Sequence, residues 1–217
     1  MIKLVVYDLD GTLVDTLGDV VSAINATLVE SGIAPVEAAS IRGAFGHGIR
    51  ELLERVLQGS SRERIEEVIA AFRLRYRQNI VQESQVYAGL EAILSQVEAR
   101  GVSQAVLTNK FEAGARLLLQ TLGVSRYFDP IAGPDTYDSV KPDPKGLQAL
   151  LRYHQVSPDE AVMVGDSEND ILAAKGAGVP VIAVGYGYQE LSRLMGLGPE
   201  YRAQSVVALG AQLAALL

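Results

Sequence analysis

The chain opens with MIKLVVYDLDGTLVDT, residues 1–16. An apolar run over residues 2–7, broken only by Lys3, ends in Asp8 and Asp10, one residue apart, with Gly11-Thr12 behind them. A short run without polar alternation, bounded by turn residues, predicts a strand covered on both faces, as in a parallel sheet. Two carboxylates crowded at the exit of such a strand repel each other. Gly11 already makes the turn, so the turn needs neither of them. A bound metal ion or a shared proton would relieve the repulsion.

Working outward, the same kind of run recurs in QAVLTN (104–109), AVMVGD (161–166), PVIAVG (180–185) and, more weakly, FDPIAG (128–133). Helical patterns lie between them, roughly over 88–100, 111–123, 144–155 and 167–177. Asp143-Pro144 reads as an N-cap followed by proline at the first helical position. Gly101 and Gly123 stand where a helix C-cap glycine is expected. Strand–helix alternation punctuated in this way predicts a doubly wound, Rossmann-like α/β fold with a parallel sheet.

Residues 17–81 break the rhythm. LGDVVSAINATLVESG, ASIRGAFGHGIRELLERVL and SSRERIEEVIAAFRLRYRQNI are helical patterns with no strand between them. They read as an all-helical module inserted after the first strand. The expected division is a catalytic core of residues 1–14 and 86–217 and a helical cap domain of residues 15–85. The tail SVVALGAQLAALL reads as a surface helix capped by Ser205. No internal repeat, charge block or low-complexity tract stands out.

Composition narrows the functional classes. The chain has 217 residues, 48% of them hydrophobic, which is enough for a sizeable core. Its net charge of −7 argues against a nucleic-acid partner. There is no cysteine, so disulfides, thiolate chemistry and cysteine–zinc sites are excluded. With two histidines, a multi-histidine metal centre is not expected, and any metal must be held mainly by oxygen, which favours magnesium. The apolar N-terminal stretch is too short for a signal peptide or a membrane span, and a cytoplasmic location is expected.

Four polar clusters fall at or just after the ends of predicted strands: Asp8-Leu-Asp10-Gly-Thr, Thr108-Asn109, Lys141-Pro142 and Gly165-Asp166-Ser-Glu-Asn-Asp170. Open α/β sheets bind ligands at the carboxyl ends of their strands, so the clusters converge on one site. Each has a plainer explanation as well. Thr16-x-x-Asp19 and Ser167-x-x-Asp170 have the form of capping boxes, and an acidic residue at a helix start needs no catalysis to explain it. Lys141 alone reads as a solvated loop lysine, and Thr108 and Asn109 as strand-end caps. Phosphoryl transfer accounts for the whole set. It needs a carboxylate nucleophile, a cation to screen its approach to an anionic phosphate, and donors to hold the phosphate oxygens. It also needs a second carboxylate to move protons.

The ordered set DLDGT, LTN, KPDP and GDSEND resembles the phosphatases of the haloacid dehalogenase superfamily, and the resemblance spans nearly the whole chain. It implies Asp8 as nucleophile and Asp10 as general acid and base. Thr108 would contact the transferring phosphoryl group with the Asn109 backbone nearby, and Lys141 would stabilise charge on nucleophile and phosphate. Magnesium would be held by Asp8, Asp166 and the Asp10 backbone carbonyl, with Asp170 supporting that site either from behind its ligands or through water. The helical insert is similar to the cap of one branch of the superfamily. Within that branch the phosphoglycolate phosphatase subgroup looks nearest, through DLDGTLVDT, RGAFGHGIRELL, Tyr87-Ala-Gly-Leu, GPDTYDSVKPDPKGLQALL and VGDSENDILAAKGAGVPVIAVGYGY. Ala88 departs from it, since the family usually has proline there.

Within the insert, Arg42, Gly43, Gly46, His47, Gly48 and Arg50 form a glycine-rich basic stretch. Glycine lets backbone approach a ligand, and arginine pairs bidentately with carboxylate or phosphate. Gly46, His47 and Arg50 are therefore candidates for reading the substrate, although a plain helix–helix turn would look similar. Arg73, Arg75 and Arg77 read as a solvated helix face. The expected activity is magnesium-dependent hydrolysis of a small phosphorylated metabolite, 2-phosphoglycolate being the leading candidate, by a monomer or a homodimer. A phosphosugar mutase of the same superfamily and a phospho-receiver signalling module are the alternatives. A dehalogenase would need neither Asp10 nor a metal.

Overall fold

The opening run folds as β1 (Leu4–Tyr7), with all four residues buried. Its side chains alternate between two cores. Leu4 and Val6 pack with Leu147, Leu150 and Ile171 on one face, and Val5 and Tyr7 with Leu94, Leu118 and Leu209 on the other. Burial on both sides is why the run is apolar at successive positions rather than at every second one. The structure is a computed structural model and describes every residue except His47 and the side chain of Ala44. The expectation placed on His47 therefore lies outside the described residues.

After β1 comes β2 (Val14–Asp15), then α1 (Leu17–Glu30), α2 (Ala38–Ala44), α3 (Ile49–Val56) and α4 (Arg62–Gln78). The chain returns through β3 (Gln85–Val86). β2 and β3 pair antiparallel, Val14 opposite Val86 and Asp15 opposite Gln85, so the two connections to the helical insert run side by side. The capping box expected at Thr16 and Asp19 does not form. Thr16 makes no side-chain cap bond. Its hydroxyl donates instead to Asp10 Oδ1, at 2.6 Å. The Asp19 carboxylate accepts the N–H groups of Gln82, Glu83 and Ser84, at 3.0, 3.0 and 2.9 Å. The return segment there is neither helix nor strand, so its N–H groups need an acceptor, and one carboxylate serves all three.

Beyond β3 the chain alternates as the patterning predicts. α5 (Leu90–Ala99), β4 (Ser103–Leu107), α6 (Glu112–Thr121), β5 (Ile131–Ala132), α7 (Pro134–Tyr137) and α8 (Lys145–His154) come first. β6 (Ala161–Gly165), α9 (Glu168–Ala177), β7 (Val181–Val184), α10 (Leu191–Met195), β8 (Tyr201–Ala203) and α11 (Val206–Leu216) follow. Helix α8 begins one residue later than expected. Pro144 is its N-cap residue, and Asp143 Oδ1 accepts the Lys145 N–H at 3.0 Å. Ser205 caps α11 through the Ala208 N–H.

Among the described residues six strands form one parallel sheet in the order β5-β4-β1-β6-β7-β8. The architecture is thus the doubly wound α/β core with an all-helical insert. The chain moves from β1 outward through β4 and β5 on one side, then returns to build β6, β7 and β8 on the other. That reversal leaves a crevice at the carboxyl ends of β1, β4 and β6, where such sheets bind ligands. Among the described residues no helix is long and apolar enough to cross a membrane.

Candidate active site

Asp8 leaves β1 still held by the sheet, its N–H bonded to the Val164 carbonyl at 2.9 Å. The turn behind it passes directly over Asp166. Gly11 has φ +89°, and a Cβ there would stand 2.3 Å from Asp166 Oδ2. Only glycine allows both the left-handed conformation and that approach. From the same turn, the Thr12 hydroxyl donates to Asp166 Oδ1 at 3.1 Å. The Tyr188 N–H donates to Asp166 Oδ2 at 2.7 Å.

Asp8, Asp166 and Asp170 are all buried, with carboxylate oxygens within 4.8 Å of one another. Lys141, only 4% exposed, reaches into this group. Its Nζ lies 2.7 Å from Asp8 Oδ1 and 2.6 Å from Asp170 Oδ1. The one ammonium pairs with two of the three carboxylates, and among the described residues Asp166 has no cation on it. Asp8 is pushed up to about 7: burial raises it most, Lys141 lowers it, and Asp170 and Asp10 raise it again. Asp166 is raised well above the usual carboxylate range by burial, then by Asp8 and Asp170. Burial works against the charge on Lys141, but Asp170 and Asp8 more than reverse it and hold the ammonium above the ordinary lysine range. An all-oxygen, electron-rich, buried donor set short of positive charge fits a hard divalent cation.

Asp170 shows that the plainer reading and the functional one coexist. Its Oδ2 accepts the Ser167 N–H at 3.0 Å and the Ser167 hydroxyl at 2.6 Å, so the capping box of α9 does form. Its Oδ1 is left to hold Lys141. Thr108, buried at the end of β4, bonds through its N–H to Ala132 and accepts the Lys110 N–H on its hydroxyl at 3.1 Å. Asn109 ties three segments together. Its Oδ1 accepts the Lys141 N–H at 2.8 Å, and its Nδ2 donates to the carbonyls of Lys141 at 2.9 Å and Gly46 at 2.7 Å. Asp10 Oδ1 takes Lys110 Nζ at 2.9 Å in addition to the Thr16 hydroxyl.

Between the sheet edge and the insert lies a cavity of about 270 Å³. Asp8, Asp10, Thr108 and Asn109 line it from the core, while Asp166, Asp170 and Lys141 stand behind them. Gly46 lines it from the insert, and its carbonyl also takes the Asn169 Nδ2 at 2.8 Å. The structure does not bring Arg50 to the cavity. Its guanidinium lies bidentate on Glu66, at 2.7 and 3.0 Å, on an exposed face.

The solvated-face reading of Arg73 is corrected. Its guanidinium carbon sits 3.3 Å from the centroid of the Phe111 ring, and both Arg73 and Arg77 line the cavity. Arg75 does lie outside, paired with Glu30. The sequence held the signal: Val68, Ile69, Phe72 and Tyr76 form the buried stripe of α4, and Arg73 borders it. Lys110 was also missed. It directly follows Thr108-Asn109, and its Nζ lies 4.7 Å from the Tyr76 ring centroid as well as against Asp10.

A family model for haloacid dehalogenase-like hydrolases matches residues 5–184. A phosphoglycolate phosphatase of Mesorhizobium japonicum is 38% identical over 191 residues, covering 86% of this chain and 84% of its own. One from Rhodospirillum rubrum is 39% identical over 196 residues, covering 87% and 81%. A crystal structure described as a predicted phosphoglycolate phosphatase from Haemophilus somnus superposes with a TM-score of 0.88 at 26% identity, covering 96% of both chains. The chain belongs to the haloacid dehalogenase-like hydrolase family.

Proposed function

We propose that the protein is a phosphatase that hydrolyses a small phosphomonoester, 2-phosphoglycolate foremost, through a phosphoryl group carried on Asp8. The observation that carries this reading is the buried Lys141, bonded at once to Asp8 and Asp170 behind a cavity onto which Asp8 and Asp10 open. The choice of 2-phosphoglycolate is supported by the relatives named phosphoglycolate phosphatase.

Asp8 Oδ2, the oxygen that Lys141 does not engage, attacks phosphorus, and the bond from phosphorus to the ester oxygen breaks. Asp10 delivers a proton to the departing alcohol. Asp10 then takes a proton from water as that water attacks the phosphorus. The phosphorus–Asp8 bond breaks, inorganic phosphate leaves, and Asp8 is restored. Thr108 and Asn109 sit at the wall where phosphate oxygens would lie, and Lys141 offsets charge on Asp8.

Magnesium fits the donor set, held by Asp8, Asp166 and the backbone carbonyl of Asp10. When bound it supplies positive charge that screens the approach of one anion to another. Asp170, with one oxygen on Ser167 and the other on Lys141, orients the lysine from outside that ligand set. The helical insert acts as a cap that keeps bulk water from the site.

The test is phosphate release from a panel of small phosphate esters with magnesium, together with mass spectrometry of protein quenched during turnover. The expected result is net inorganic phosphate and a phosphoryl adduct on Asp8, both abolished by Asp8→Asn. Transfer to a second sugar hydroxyl without net phosphate identifies the mutase instead. An adduct on any other residue overturns the mechanism.

A further inference from the structure

We propose that Arg73 reads the substrate: it holds a second acidic group, a carboxylate, on the phosphomonoester bound in the cavity. This rests on the phosphatase reading above and goes beyond it by naming the residue that selects among esters.

Three cations line the cavity, Arg73, Arg77 and Lys110, and they differ in what already satisfies them. Lys110 is taken by Asp10. Arg77 is exposed to solvent. Arg73 is half-buried, and its Nε is buried with no hydrogen-bond partner. Among the described residues no carboxylate forms an ion pair with it. A buried donor left unmade is costly, so an acceptor is missing from the picture.

The geometry also says what the acceptor is. The Phe111 ring covers one face of the guanidinium. Stacking of this kind leaves the in-plane N–H fork free, and that fork matches a carboxylate bidentately. Phe111 follows Asn109 by two residues, so the stacking partner belongs to the same strand-end loop that lines the phosphate wall. Ile24, Ile41, Ile49, Leu52 and Phe72 also line the cavity and offer no hydrogen bond. In so apolar an enclosure an anionic tail is poorly solvated, and its interaction with a single cation is strong. Burial and then the neighbouring Arg50 bear against the charge on Arg73, and Glu66 and Asp135, neither of them bonded to it, offset this only in part, which leaves room for an incoming carboxylate. Arg50, by contrast, already holds Glu66 with both arms of its fork.

The experiment compares 2-phosphoglycolate with ethyl phosphate, which replaces the carboxylate by a methyl group. The quantity read is the ratio of their kcat/KM values, acid over neutral, in the full-length protein with magnesium. Arg73→Met is expected to lower that ratio by about 10- to 100-fold, the range for losing a charge-assisted bond to a desolvated carboxylate. Arg73→Lys, which keeps the charge but not the fork, should lower it less. Arg50→Met should change it by less than about threefold, as expected for an exposed ion pair. Arg73→Gln, with its thermal unfolding midpoint measured alongside, serves if the methionine variant is unstable.

A wild-type ratio well above one that survives in Arg73→Met and Arg73→Gln overturns the assignment and leaves the phosphatase reading standing. Equal losses on both esters overturn it too, because Arg73 then shapes the cap and does not read the substrate. A wild-type ratio near one sinks the carboxylate-bearing substrate, and this assignment with it. Absence of phosphate release from every ester in the wild type sinks the phosphatase reading itself.

Discussion

Lys110 Nζ lies 2.9 Å from Asp10 Oδ1 and 4.7 Å from the centroid of the Tyr76 ring, so a core lysine is held between a core carboxylate and a helix of the insert. Burial works against its charge, but Asp10 more than reverses the effect, and the ammonium stays above the ordinary lysine range. Lys110 thus ties the insert to the group assigned to proton transfer.

Lys110→Met should therefore lower kcat/KM by about 10- to 100-fold, the usual scale for removing one partner of a buried charge-assisted bond. If the lysine acts by positioning Asp10 as the proton donor, the loss depends on the leaving group. It should be large for ethyl phosphate, whose alkoxide needs a proton. It should be smaller for p-nitrophenyl phosphate, whose phenolate does not. Equal losses on the two esters, measured at steady state, would count against that role.

The insert meets the core at Gly46, whose carbonyl takes both Asn109 and Asn169. Gly46 has φ +95°, and a Cβ there would stand 2.9 Å from the Ser167 Cβ. Gly46→Ala should cost about 1–2 kcal/mol from the left-handed conformation. In a chain of this size that lowers the unfolding midpoint by roughly 2–8 °C. Because the strain falls on the junction, protease cutting within residues 38–56 should quicken more than cutting within the core. Uniform protection across both parts would show that Gly46 does not hold them together.

Much of this was legible in the sequence because its causes are local. Two-sided burial leaves uninterrupted apolar runs, so β1, β4, β6 and β7 could be read directly, together with the polar clusters at their ends. Asp8 and Asp166 come together because the neighbouring parallel strands β1 and β6 end at one edge, Asp170 joins them from the first turn of α9, and Lys141 from the loop between α7 and α8. What could not be read depends on three-dimensional partners. Thr16 and Asp19 have the spacing of a capping box, yet Thr16 serves Asp10 and Asp19 serves residues 82–84, which are distant in sequence. Arg50 and Arg73 are equivalent in composition, and only the packing of α3 against α4 gives Glu66 to the first, and that of α4 against the start of α6 gives Phe111 to the second. β8 pairs at the sheet edge with a half-buried Tyr201 and an exposed Arg202, too little apolar surface to announce a strand.

Asp19 is a test of the two connections to the insert. Burial raises a carboxyl, but the hydrogen bonds from residues 82–84 outweigh it and hold Asp19 below its ordinary range. The unfolded chain then binds this proton more readily than the folded one. The stability Asp19 supplies is fully present above about pH 4, the unfolded carboxylate's range, and is lost as pH falls through the lower folded value. Asp19→Ala should cost about 1.5–3 kcal/mol at pH 7. In urea titrations the gap between variant and wild type should narrow at pH 3. A gap independent of pH would mean that lost packing, not the carboxylate, accounts for the cost.

The three buried carboxylates predict how the protein answers to metal. Without a divalent cation, the carboxylate oxygens of Asp8, Asp166 and Asp170 lie within 4.8 Å of one another while the one ammonium, Lys141, pairs with Asp8 and Asp170 alone, a repulsive arrangement that the fold sustains at a cost. Magnesium that binds the folded form alone should stabilise it by about 2.7 kcal/mol at a hundred times its dissociation constant. Asp166→Asn removes a negative charge and a ligand together. Its metal-free unfolding midpoint should equal or exceed that of wild type, because repulsion is reduced. Its magnesium-dependent increment should largely vanish, and turnover with it. These opposite signs distinguish a metal ligand from an ordinary buried aspartate, whose loss would lower the midpoint with or without magnesium and leave the increment intact. The decisive measurement is the thermal midpoint of wild type and Asp166→Asn in chelator and in excess magnesium. Full wild-type turnover in chelator would remove the metal from the mechanism outright.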